Sequence, residues 1–170
     1  MALIKKVRGF TPQWGSDCWV ADNATIVGDV VMGDRCTVWF NAVVRGDVNE
    51  IRIGNQTNIQ DGAVIHCTYQ KTGTYIGSNV SIAHKAIVHG CTIEDNVLIG
   101  MGAIIMDNAH VKSGAVIAAG AVVLAGTVVE ENSIYAGIPA KKVKDTGEFM
   151  ISEIQRIAGN YPMYAGWFTE

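Results

Sequence analysis

The chain has 170 residues, 49% of them hydrophobic and 17% charged, with a formal net charge of −3. Those values fit one globular domain with a real core and exclude a disordered chain, a basic face for nucleic acid and a polybasic membrane signal. No apolar run approaches the roughly 18 residues of a spanning helix, and the opening "MALIKKVRGF" lacks the apolar core of a signal peptide, so the expected location is cytoplasmic, with no membrane partner.

In chain order, aliphatic residues recur in steps of six: Val20, Ile26, Met32, Val38 and Val44; then Ile53, Ile59 and Ile65; then Ile76, Ile82 and Val88; then Ile93 through Ile99, Ile105, Val111, Ile117 and Val123 to Val129. A short fixed period is the signature of a solenoid, and a hexapeptide period that of a parallel β-helix. Each hexapeptide supplies one short strand with its first residue buried and one corner where Gly or Asn relieves the bend. Three such sides complete a coil, and coils stack about 4.8 Å apart. The interruptions at 44–53 and 65–76 read as loops pushed out from corners, and the five-residue step from Val88 to Ile93 as a local deletion.

Near residue 145 the spacing changes. Phe149, Ile151, Ile154, Ile157 and Ala158 fall at helical intervals after Asp145 or Thr146 as a candidate cap, which predicts a C-terminal helix packed along the solenoid. The expected organisation is a single domain over 1–170, with the β-helix at about 14–142 and the helix at about 145–159. The period itself does not fix the hand of the coil.

Counting within the repeat sorts the histidines. With Ile53, Ile59 and Ile65 on sides one, two and three, His66 and His89 both occupy the second, outward position of side three, stacked one coil apart, and Arg45 lies one coil earlier in that column. His84 falls at the third position of side two, above Asp61. A lone outward histidine on a solenoid is ordinarily just solvated. Packing side three of one chain against side two of another in a closed trimer would bring His84 to His66 and His89, with Arg45 near a neighbour's Asp61. Three imidazoles with an open fourth position form the catalytic kind of zinc site. His110 has no such partners and reads as a surface residue.

Four cysteines without a CxxC read as reduced thiols: Cys18 and Cys36 suit a small-residue core position, and Cys67 and Cys91 lie near the histidines.

The segments "VVRGD", "NIQDGAVIH", "IAHKAIVHG" and "IGMGAII", in this order on a hexapeptide solenoid, resemble the γ-class carbonic anhydrase family from about Phe10 to Lys142. The resemblance implies an all-β solenoid, a left-handed parallel β-helix with a C-terminal α-helix, assembled as a homotrimer with metal at each interface. It places the metal ligands on His66, His84 and His89, subunit-contact residues on Arg45, Asp47 and Asp61, and on Gln60 the glutamine that orients metal-bound water or substrate. The implied reaction is the reversible hydration of carbon dioxide to bicarbonate by metal-bound hydroxide, with Zn2+ the usual ion and Fe2+ or Co2+ alternatives. Val48 and the short "CTYQKTGTY" replace an acid and an acidic loop of the archaeal prototype, which implies proton export that is slower or uses other groups. Phe149 and Tyr161 are candidates for the helix residue that closes the pocket.

A competing reading comes from the same solenoid. Hexapeptide acyltransferases bind acyl-CoA between subunits and use one histidine as a base, and "YAGIPAKKVK" resembles the end of many of them. A thioesterase using the metal site, or a trimer merely fastened by metal, completes the alternatives.

Overall fold

The computed structural model describes residues 1–169. The hexapeptide period becomes a left-handed parallel β-helix of about seven coils, with one α-helix alongside. On side one, Met32, Ile53, Ile76, Ile93, Val111 and Val129 are successive register partners, each 5% exposed or less. Sides two and three repeat this with the columns from Val38 to Ile117 and from Ile26 to Val123. Burying each of these isoleucines stabilises the fold by about 1.5–3 kcal/mol. The corner before side three closes tightly because its inward position is alanine in coil after coil: Ala24, Ala42, Ala63, Ala86, Ala103 and Ala121, all at most 1% exposed.

Another corner is stitched by polar side chains. Asn55 Oδ1 accepts from the Asp34 amide (2.8 Å), Ser78 Oγ from the Asn55 amide (3.0 Å) and Asp95 Oδ1 from the Ser78 amide (2.7 Å). The preceding Gly54 has to lack a side chain, since a Cβ there would meet the backbone of Gly77 at 2.6 Å. Backbone donors at this bend thus find partners in the neighbouring coil instead of remaining unsatisfied.

Two features of the coil depart from the sequence expectation. The segment 44–53 is not a loop: strands Thr25–Met32 and Val43–Ile53 run together round the corner, with a register shift between Gly28 and Val30, and join sides one and three into a twelve-stranded sheet. Gly28 at φ +77°, packed against the carbonyl of Gly46, permits that close passage, and Arg52 ties the outer surface by pairing with Asp29 (2.8 Å) and Glu50 (2.9 Å). The coil also begins before residue 14, because Leu3–Lys5 pairs on side three. The 65–76 interruption does project as a loop, closed by a bridge between Thr68 and Thr72.

The helix spans Glu148–Gly166, starting later and ending later than its apolar spacing predicts. Neither predicted cap serves: Asp145 ends the strand Lys141–Asp145, Thr146 Oγ1 donates instead to the Gly114 carbonyl, and Gly147 holds the N-cap position without a side-chain bond. Packing on side two carries the helix through Pro162. Ile154, Ala158 and Ala165 are buried, and Trp39 meets Tyr161 and Phe168 at ring separations of 5.3 and 5.8 Å. No helix among the described residues is long and apolar enough to cross a membrane.

Candidate metal centre

The fold divides the residues singled out in the sequence into two groups. Arg45, Asp47, His66 and His89 gather on side three, while Gln60, Asp61 and His84 gather on side two. His66 and His89 are direct register partners in adjacent strands, with ring centroids 5.1 Å apart. Asp47 lies between Arg45, whose guanidinium donates to its Oδ2, and His66, whose Nε2 is 3.0 Å from its Oδ1.

Two carboxylates fix the tautomers of the pair. Asp47 accepts from His66 Nε2–H, and Asp107 accepts from His89 Nδ1–H at 3.2 Å, assignments that follow from each carboxylate being an acceptor. The nitrogens left as lone pairs, His66 Nδ1 and His89 Nε2, then face each other at 3.1 Å. Two lone pairs at that range repel unless a cation or a proton sits between them. The gap is close to the roughly 3.3 Å that two metal–nitrogen bonds of about 2.0–2.1 Å enclose at a tetrahedral angle. This pair therefore fits a divalent ion that favours imidazole ligands.

The electrostatics favour the neutral form of His66. Burial pushes the His66 imidazolium pKa down, outweighing the opposing pull of Asp47. His66 and Asp47 are thus joined by a hydrogen bond from neutral imidazole to carboxylate. Burial alone would raise the Asp47 carboxyl, but the hydrogen bonds from His66 and Arg45 together hold it below the usual carboxylate range. At Asp107 burial is likewise outweighed, there by Thr68, Thr72 and His89.

On side two, His84 Nδ1 lies 2.9 Å from Asp61 Oδ2, leaving its Nε2 as the basic nitrogen. His84 lines a cavity of about 400 Å³ between side two and the helix, together with Gln60, Met101, Asn160, Tyr161 and Tyr164. Gln60 is buried and its orientation is set by a relay: its Nε2 donates to Asn58 Oδ1 (3.0 Å), and Asn58 Nδ2 donates to Ser81 Oγ (2.8 Å). Of the two pocket-closing candidates, Tyr161 lines this cavity, and burial raises its phenol to about 12, keeping it a neutral donor. Phe149 is 76% exposed and does not line it. Among the described residues of one chain, no three His, Cys, Asp or Glu side chains converge as a complete metal cage.

Asp107, Asn58 and Ser81 were not apparent from sequence patterns. Asp107 stands two places after Ile105 in the coil beyond His89, level with Gly90, while Met106 takes the position that corresponds to His89. The cysteines stay apart from the pair, for Cys67 is buried with its thiol against the Asn49 carbonyl (3.2 Å), and burial raises the Cys91 thiol to about 12. His110 pairs with Glu94 (2.6 Å) and faces no second imidazole.

A family profile described as "Bacterial transferase hexapeptide (six repeats)" matches residues 15–46 and 90–125. Over 142 residues the chain is 53% identical to a protein of Methanocaldococcus jannaschii named "Probable carbonic anhydrase", covering 84% of this chain and 89% of that one. The chain belongs to the γ-class carbonic anhydrase family. A "Carbonic anhydrase" of Geobacillus kaustophilus is 45% identical across 94% of this chain and 87% of its own length. "Gamma carbonic anhydrase 2, mitochondrial" of Arabidopsis thaliana is 37% identical, with 89% of this chain matched to 56% of the plant protein. Among solved structures, a hexapeptide transferase family protein from Anaplasma phagocytophilum superposes with a TM-score of 0.93 at 37% identity, covering 98% of both chains.

Proposed function

We propose that this protein catalyses the reversible hydration of carbon dioxide to bicarbonate as a cytoplasmic homotrimer. In this reading His66 and His89 of one subunit and His84 of the next hold Zn2+, with Fe2+ or Co2+ as alternatives. The observation that carries it is the pair of lone-pair nitrogens held 3.1 Å apart by flanking carboxylates. The names of the relatives at 53% and 45% identity support the same reaction.

A divalent ion in such a site would supply Lewis acidity, lowering the pKa of bound water to about 7. The chain's own residues do the rest. Asp47, Asp61 and Asp107 each hold one imidazole so that its basic nitrogen is presented for ligation. Gln60, with one N–H committed to Asn58, has its carbonyl oxygen and its second N–H to orient a water or the substrate. Tyr161, a neutral phenol in the same cavity, is available to donate to an oxygen of bicarbonate. Arg45 is assigned a second contact, with Asp61 of the adjoining subunit.

The test is metal analysis of the purified protein combined with a stopped-flow hydration assay. About one metal per chain is expected, and His89→Ala is expected to lose metal and hydration together. Hydration that survives intact in that variant refutes the proposal. Saturable acyl-CoA binding without metal would favour the transferase alternative carried by the name of the Anaplasma relative.

A further inference from the structure

The carboxylate of Asp107 is shared. Its Oδ2 accepts from His89 Nδ1–H, while its Oδ1 accepts from Thr68 Oγ1 (2.6 Å) and Thr72 Oγ1 (2.8 Å). Those threonines are the two bridged residues of the projecting loop, where the Thr68 amide also donates to the Thr72 carbonyl (3.0 Å). Between them Tyr69, Gln70 and Lys71 are exposed. The loop is therefore anchored at its neck by a side chain whose other oxygen orients a candidate ligand.

The surroundings are shaped for this arrangement. Gly90, next to His89 and at φ +56°, leaves the space that Asp107 Oδ1 and Thr72 Oγ1 occupy, and any Cβ there would collide with both. Thr74, where the chain rejoins the coil, donates through Oγ1 to the His66 carbonyl (2.5 Å) and accepts from the Gly90 amide (2.9 Å). Other fastenings of the loop, Asn49 Nδ2 to the Thr68 carbonyl (3.3 Å), the Cys67 thiol to the Asn49 carbonyl (3.2 Å) and Arg8 over the Tyr69 ring, do not reach His89.

We infer that Asp107 is a positioning residue through which order in the 67–73 loop and metal binding at His89 are coupled. The inference rests on the metal reading proposed above. With both threonines in place, the carboxylate is held where it can receive only the Nδ1 proton of His89, so that Nε2 stays a lone pair. When the loop detaches, Asp107 is freed to rotate and the imidazole loses the constraint on its ring and tautomer. Coupling of this kind is reciprocal: a factor gained by the metal from an ordered loop is returned as added order in the loop when metal binds.

The experiment compares wild type, Thr68→Val/Thr72→Val, Asp107→Ala and Asp107→Asn. Zinc affinity is read by competition with a chromogenic chelator, and loop order by hydrogen–deuterium exchange of the 67–73 amides with and without zinc. The loop double variant, which leaves the ligand and Asp107 themselves unchanged and removes only the two hydroxyls that hold Asp107, is expected to lose about 10-fold in zinc affinity, and Asp107→Ala about 10–100-fold. Asp107→Asn keeps an acceptor for His89 and donors for both hydroxyls, so it is expected to retain most of both properties. Zinc should slow loop exchange in wild type and not in the double variant. A double variant whose loop exchanges faster while its zinc affinity equals that of wild type overturns the coupling. Failure of wild type itself to take up zinc overturns the metal reading and the coupling with it, and is distinguished by appearing without any substitution.

Discussion

Chains carrying His84→Ala and chains carrying His89→Ala, each inactive alone, are expected to regain metal and activity when refolded together. In the proposed three-fold ring each subunit would offer side three to one neighbour and side two to the other. A His84→Ala chain still presents His66 and His89, and a His89→Ala chain still presents His84. Every mixed trimer, whichever its composition, then contains one intact site. Random association of equal amounts makes about three quarters of the trimers mixed, so about one quarter of wild-type sites return. The assay is bound zinc per chain and stopped-flow hydration, compared with the same two variants refolded separately and then combined. Recovery no greater than in that control refutes a site shared between chains. The two variants alter residues 84 and 89 on different sides of the same coil, and the coil's core residues Ile82 and Val88 are untouched, so misfolding is not the expected source of failure.

Other outcomes follow from the same contacts. Asp47→Ala releases His66 Nε2 and should weaken zinc binding by about 10–100-fold in chelator competition, while His110→Gln, which disturbs only the contact with Glu94, should leave zinc affinity unchanged. Trp39→Ala removes a buried ring that packs on Trp19, Tyr161 and Phe168 and donates to Thr37; urea unfolding followed by circular dichroism should register a loss of about 3–5 kcal/mol, with Trp39→Phe losing less. Metal-free protein should lose stability on acidification. His66 and Asp47 both have folded pKa values lowered from their ordinary 6.5 and 3.8, so the unfolded chain binds more protons in each window. Their contribution is complete above 6.5, declines first through His66 and then, below 3.8, through Asp47; a His66→Gln variant should flatten the upper part of the decline in a pH series of unfolding midpoints.

The coil and its columns were legible because burial at one residue in six is a one-dimensional pattern, and within each uninterrupted run from Ile53 to Val129 the steps of six land on fully or almost fully buried residues. What the period did not disclose were segments governed by contacts between coils. The passage through 44–53 stays in the sheet because Gly28 and Gly46 lie against each other, a pairing eighteen residues apart that no local count displays. The helix outruns its predicted end because Trp39 and Phe168 hold it on side two beyond Pro162. The stacking of His66 on His89 was readable by the same counting, whereas Asp107 required knowing that the loop at 67–73 folds back over the next coil to reach it.

The register also explains why a third ligand is sought away from this column. Coils lie about 4.8 Å apart, yet the facing nitrogens of His66 and His89 are 3.1 Å apart, so the rings already lean toward each other to share one point. The same column continues with Arg45 on one side and Met106 on the other. A third imidazole in either place would stand roughly 9.6 Å from the farther histidine and would have to lean across two coils while the middle ring moved aside. Side two offers His84 instead, with Asp61 orienting it and its basic nitrogen directed away from its own carboxylate partner. A straight solenoid cannot fold side two onto side three within one chain, because the corner between them is fixed by the coil. Joining those two half-sites therefore falls to symmetry, and the proposed trimer supplies the operation at the cost of no new element in the chain.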